Sequence, residues 1–520
     1  MLPPIQAINF SRDTKQLTEK FAINCFKTSF NTTRLFFCAL VFGTLACSLL
    51  LATCSKSPPP TPAVPADPYT ITFVTLNSPT TYYFNGEKNL AGIEYDLAML
   101  FVKSLGAPYQ AKFLVVNNIS QVIPALQSGQ ADIAASDLSV TDARKALINF
   151  ATPYQTIQQQ LIYNRELTDK PPRKIKDLVG HSIVVPVGTS FAERLRKIQK
   201  TEPNLKWEER PNVNTEQLIE AVAHGEGDYT VADSHLVSIV QNYYPNLEVA
   251  MPLGEAEKTA WALPKQSKIK ELLKNTLSKS KPINVKSDLL KNVNIFFARI
   301  QKDGTLRNVL DRYLGNAKRL DQVDVKAFLI RSRTLLPQYI KLFKHAQEIT
   351  DIDWRLLAAI SYQESHWDTF NTSPTNVRGL MMLTEDTADL MGVTDRLDPK
   401  QSIPAGAKYV MKLKDVIPEK IAEPDRTYMA LAAYNIGYAH VEDARVLAQR
   451  QHLNPNSWAD VKKTLVMLNN PEYYTTVKYG YASGGSPVIF VESIRSYQRI
   501  LERYQPSHNP DIDTYKIASN

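Results

Sequence analysis

The sequence predicts a multidomain protein, with a two-lobed α/β domain first and an α-helical domain after it. Three observations carry that expectation. At 520 residues the chain is too long for one hydrophobic core. From Tyr69 onward short apolar strands alternate with helical stretches, the mark of α/β architecture. From Tyr339, Phe343 and Ala346 the apolar residues keep helical spacing, and the text stays helical to its end.

Residues 1–54 read as a leader. The 19-residue run 35–53 is apolar and uncharged, behind Lys20, Lys27 and Arg34. By length it suits either a signal-peptide core or a membrane-spanning helix. Residues 55–68, SKSPPPTPAVPADP, form a Pro-rich spacer that cannot pack a core and holds the next domain away from the bilayer. The α/β domain is expected over 69–316, a charged helical connector over 317–345, the helical domain over 346–505 and a tail over 506–520. Within 69–316, TITFVTL (70–76) alternates as a strand. The two lobes repeat one grammar of strand, turn and helix, with crossovers near 155–164 and 248–263.

Composition is that of ordinary globular protein, 44% hydrophobic and 22% charged. The net charge of +8 is a modest bias toward anionic surfaces, with no concentrated basic run to support nucleic-acid binding. All four cysteines lie within the first 54 residues, so the folded part has neither a disulfide nor a thiolate metal site. The eight histidines show no ligand spacing, and no metal or cofactor is expected.

The most informative stretch is Asp353 to Thr384. Asp353 is suited to cap a helix on which Trp354, Leu357, Ser361 and Glu364 share one face. That stripe should look inward and leave Glu364 at its end. Desolvation there raises a carboxyl pKa, which suits a proton donor to a glycosidic oxygen. Farther on, Tyr434 offers a flat ring and Asn435 both a donor and an acceptor.

Glu364-Ser365, Ser373-Pro374, Gly379-Leu380-Met381-Met382, Ala433-Tyr434-Asn435-Ile436-Gly437 and Val491 to Tyr497 occur in order over some 130 residues. Together they resemble the motifs of the lytic transglycosylases of glycoside hydrolase family 23. The resemblance implies a lysozyme-like helical domain that cleaves the MurNAc–GlcNAc bond of peptidoglycan and leaves a 1,6-anhydro end. Glu364 is implied as the single acid and base. Ser365 and Ser373 are implied to orient it or the N-acetyl group. Gly379, Met381, Met382, Tyr434, Asn435 and Phe490 are implied to line the sugar site. Phe490 and Ser483 depart from the residues usual there, Tyr and Arg, and Asn376 replaces a Gly. A water-using muramidase with Asp368 as second carboxylate, or an inactive murein-binding or sensing protein, remain the alternatives.

Residues 69–316 resemble the family-3 periplasmic solute-binding fold. That likeness implies an amino-acid or muropeptide ligand, its carboxylate on Arg144 and its ammonium on Asp233, acting as a regulator. Leu51-Ala52-Thr53-Cys54-Ser55 is similar to a lipoprotein cleavage site. It implies an acylated Cys54 at the periplasmic side of the outer membrane, the alternative being an uncleaved anchor helix.

Overall fold

The computed structural model describes residues 67–85, 89–265, 288–316, 320–372 and 377–508. The leader, Cys54, spacer residues 55–66, Ser373, Asn376 and the end of the tail lie outside them. Among the described residues no helix is long and apolar enough to cross a membrane.

The first lobe is a five-stranded sheet. Thr70–Leu76 (β1) pairs in parallel with Gln110–Val116 (β2) and Ile133–Ala134 (β3). Ile148–Phe150 (β4) sits at the far edge. The chain then crosses through Gln155–Ile157 (β5) to a second five-stranded sheet. That sheet is built from Gln159–Asn164 (β6), Ile183–Pro186 (β7), Glu208–Arg210 (β8), Tyr229–Asp233 (β9) and Leu247–Pro252 (β10), in the order β8-β7-β9-β6-β10. It returns through Glu257–Thr259 (β11), antiparallel to β5, and inserts Ala262–Pro264 (β12) between β3 and β4. Two lobes joined by a paired crossover ribbon result directly from that path. The ribbon falls where the sequence placed it.

Each lobe has its own core. The helix Ile93–Leu105 (α1) lays Leu97 and Phe101 against Phe73 and Trp261 of the first sheet. Leu289–Lys302 (α5) adds Phe296 and Phe297, whose rings meet Trp261 stacked at 6.2 Å and edge-on at 5.0 Å. In the second lobe Ser190–Gln199 (α2), Thr215–His224 (α3) and Ser234–Val240 (α4) cover the sheet. Gly225 ends α3 in the left-handed conformation that a side chain resists, at φ 81°.

Beyond Thr305–Leu314 (α6) and Gln322–Thr334 (α7) the chain is helical. Its longer helices are Ile340–Thr350 (α8), Trp354–Ser365 (α9), Pro399–Val416 (α10), Asp425–Ile436 (α11), Tyr438–Arg450 (α12), Trp458–Met467 (α13) and Gly485–Tyr504 (α14). Trp354, Leu357 and Ile360 of α9 are within 1% of full burial, so this helix is the axis around which the others pack. Ile239, Tyr243 and Tyr244 of the second lobe belong to the same apolar cluster as the helical domain.

Charges join the helical domain to the first lobe through α6. Arg307 grips the buried Asp460 with two bonds of 2.7 and 2.9 Å, and Lys462 reaches Asp311 at 2.6 Å. Asp460 also accepts from the Asn454 N–H at 3.1 Å. Replacing Asp460 by Ala therefore orphans several donors at once. The urea midpoint is expected to fall by the equivalent of about 2 kcal/mol, with Arg307→Ala costing less because that guanidinium is half exposed.

Candidate active site and interlobe cleft

Helix α9 starts as its sequence requires. Asp353 caps it by accepting from the Arg355 N–H at 2.7 Å, and the same carboxylate holds the buried Arg355 side chain. It ends abruptly. His366 and Trp367 both take positive φ, 53° and 60°, which costs a non-glycine residue about 1–2 kcal/mol. The buried Trp367 indole offsets that cost by donating to the Ala358 carbonyl at 2.9 Å. Such strain is characteristic of sites where a side chain must be aimed.

The residue so aimed is Glu364, one position before the helix end. It is half-buried and makes no hydrogen bond or ion pair to a described residue. Burial alone pushes its carboxyl group up to about 8. Asp368 is exposed, accepts from the Phe370 N–H at 3.0 Å, and contributes nothing to that shift.

Bonded to α9 is the turn Gly379–Met382, closed by the Met382 N–H on the Gly379 carbonyl at 3.1 Å. Its backbone is held from four sides. Ser361 and Ser365 both donate to the Leu380 carbonyl at 3.0 Å. The Met381 N–H donates to Ser402 Oγ at 3.3 Å, and the Met381 carbonyl accepts from Tyr434 at 2.6 Å. Gly379 has φ 81°, and a Cβ there would lie 1.9 Å from the Arg396 carbonyl oxygen. Only glycine fits. Met382 also takes positive φ, 44°, and is half-buried, whereas Met381 is fully buried against Gly406.

Several residues expected to touch substrate are placed differently. Ser365 is 1% exposed and bonded to backbone, so it braces the turn. Phe490 is 4% exposed and lies behind Tyr434, the rings stacked at 6.3 Å. Tyr434 has Tyr409 at 5.4 Å as well, and its hydroxyl is engaged by Met381. Burial, then the proximity of Glu364, raises the Tyr434 phenol well above its ordinary value. Asn435 is exposed at the end of α11 and makes no bond to a described residue. Sequence reasoning missed Ser402 and treated Ser361 only as part of the stripe. A buried serine facing a glycine turn is the signal that finds both.

The cleft between the lobes encloses about 110 Å3 and contains both Arg144 and Asp233. Arg144 is nearly fully buried, but its nitrogens are already engaged. Nε pairs with Glu193 at 3.2 Å, Nη1 donates to the Ser139 carbonyl at 3.2 Å and Nη2 to the Gly188 carbonyl at 3.1 Å. Glu193 and Gly188 belong to the second lobe, so Arg144 clasps the lobes together. Asp233 precedes α4 without capping it by its side chain, and its buried Oδ1 lacks a partner. Burial pushes it up to about 7, partly offset by His235, while Asp137 and Glu257 push the same way as burial. His235 holds Asp137 at 2.6 Å. Burial opposes its charging, but that carboxylate prevails and raises it. No group of His, Cys, Asp and Glu suited to a metal occurs among the described residues.

Gly379→Ala is expected to lower the thermal midpoint markedly, by the equivalent of about 2–4 kcal/mol, since both φ and space forbid a methyl group. Tyr434→Phe, which only orphans one carbonyl, is expected to cost about 1–2 kcal/mol.

The family of bacterial extracellular solute-binding proteins, family 3, matches residues 70–316, and the transglycosylase SLT domain family matches residues 341–456. A membrane-bound lytic murein transglycosylase F of Methylobacillus flagellatus is 54% identical over 91% of this chain and 96% of its own. That of Nitrosospira multiformis is 42% identical over 91% and 93%. One from Pseudomonas putida is 41% identical over 87% and 89%. The chain belongs to the membrane-bound lytic murein transglycosylase F family.

Proposed function

We propose that this protein is a peptidoglycan lytic transglycosylase in which Glu364 serves first as acid and then as base. The observation that supports it best is the isolated, desolvated carboxyl at the end of α9, with its proton held up to about 8. In that state it donates to the oxygen bridging MurNAc to the next GlcNAc as the C1–O bond breaks. The carboxylate left behind is poorly solvated and correspondingly basic. It takes the proton of the MurNAc 6-hydroxyl while that oxygen bonds to C1, and the substrate N-acetyl group assists at C1. No water is consumed, and one carboxylate completes the cycle.

The braced turn Gly379–Met382 supports the same reading. Its backbone forms a fixed wall for the sugar, with Met382 and Asn435 available to touch it. Ser365, Tyr434 and Phe490 act through the turn and the ring stack. Ser373 is assigned by resemblance alone. The two-lobed domain takes a small ligand in its cleft, and a muropeptide or amino-acid-like compound suits the unpartnered carboxylate oxygens of Asp137 and Asp233. Acylation of Cys54 anchors the chain at the periplasmic side of the outer membrane.

Glu364→Gln is expected to abolish turnover of purified sacculi while leaving the circular dichroism spectrum unchanged. Parental rates in that variant would refute the assignment. For the parent, kcat/KM is expected to fall as pH rises through about 8, where the acid is lost. The same group sets a stability test. Its folded pKa lies above its unfolded value, so the native state binds more protons than the unfolded one between pH 4.5 and about 8. Stability lost to this residue therefore grows with pH across that window. Glu364→Gln should match the parent in Tm near pH 4 and exceed it near pH 8.

A further inference from the structure

A pocket of about 370 Å3 lies where the two lobes meet α14 of the helical domain. The first lobe and its following helix α6 supply Tyr83 and Tyr313, the second lobe supplies Glu216 and Tyr243, and α14 supplies Arg499 and Glu502. Arg503, on the same wall, is fully engaged. It pairs with Glu216 at 2.9 Å, donates to the Tyr244 hydroxyl at 2.8 Å and lies over the Tyr243 ring at 4.8 Å.

Arg499 is not engaged. Its Nη1 is closed off from solvent without a hydrogen-bond partner, and no ion pair joins it to a described residue. A buried donor nitrogen without a partner is costly, and an acceptor supplied in the pocket that Arg499 lines removes that cost. Glu502, one turn along the helix, instead takes the Gln498 amide at 2.9 Å. Burial pushes Glu502 up to about 7, against the pull of Arg355 and Arg499.

We propose that this pocket is a second ligand site, taking a small carboxylate-bearing molecule with Arg499 as its anion anchor and tyrosine rings as its walls. A planar monoanion fits the guanidinium fork. A dianion such as phosphate would find only one uncommitted cation, Arg499, to balance its two charges. The site is separate from the clasp at Arg144, although Asn77, Ser78, Asn214 and Glu216 line both cavities. A ligand here touches both lobes and the helical domain, so its binding stabilises their union by mass action. The inference stands apart from the chemistry assigned to Glu364.

The test is calorimetry and thermal unfolding of the full chain in detergent, with N-acetylalanine, N-acetylalanine amide and inorganic phosphate as probes. N-acetylalanine should bind and raise Tm, and the amide and phosphate should not. Arg499→Gln should weaken binding at least about tenfold, and Arg499→Lys less. Equal binding of acid and amide, preference for phosphate, or absence of binding by the parent would overturn the proposal. So would binding that survives Arg499→Gln. Retained sacculus cleavage by the Arg499 variants shows that they are folded, and it keeps this result independent of the Glu364 assignment.

Discussion

The architecture of the helical domain depends on keeping one carboxyl group away from water and away from every compensating charge. Burial is the only cause of the Glu364 shift. In an interior crowded with arginines, an isolated acid is a deliberate arrangement. Arg355, on the same helix, is tied to Asp353 at the opposite end, and Arg495 to Glu492. Arg355 and Arg495 each have their own carboxylate nearby, so neither is left to ionise Glu364.

The turn bonded to α9 is held through its backbone rather than through its side chains. Three serines and one tyrosine converge on the turn Gly379–Met382. Phe490 completes the arrangement by stacking behind Tyr434 and holding the ring whose hydroxyl reaches Met381. A phenol at 490 would need a partner in that apolar setting. Phenylalanine needs none.

Much of this was legible in the residues. The helix and its cap Asp353 were legible, because helical periodicity and capping chemistry are local properties; burial is not confined to the expected stripe, since ten of the twelve residues of α9 are buried and Glu364 is only half-buried. The crossover strands were legible for a similar reason, as short apolar runs between turn residues. Side-chain partnership was not. That Arg144 meets Glu193 depends on how two lobes close, since each residue belongs to a different lobe. That Ser365 and Phe490 face inward depends on the approach of the Gly379 turn, which no periodicity reveals.

The account rests on a reaction in which the attacking oxygen belongs to the substrate. Mass spectrometry of muropeptides released from purified sacculi measures that directly, because an anhydro end lacks one water relative to a reducing end. The account predicts 1,6-anhydro-MurNAc ends as the product. Reducing ends would contradict it and assign the attack to water.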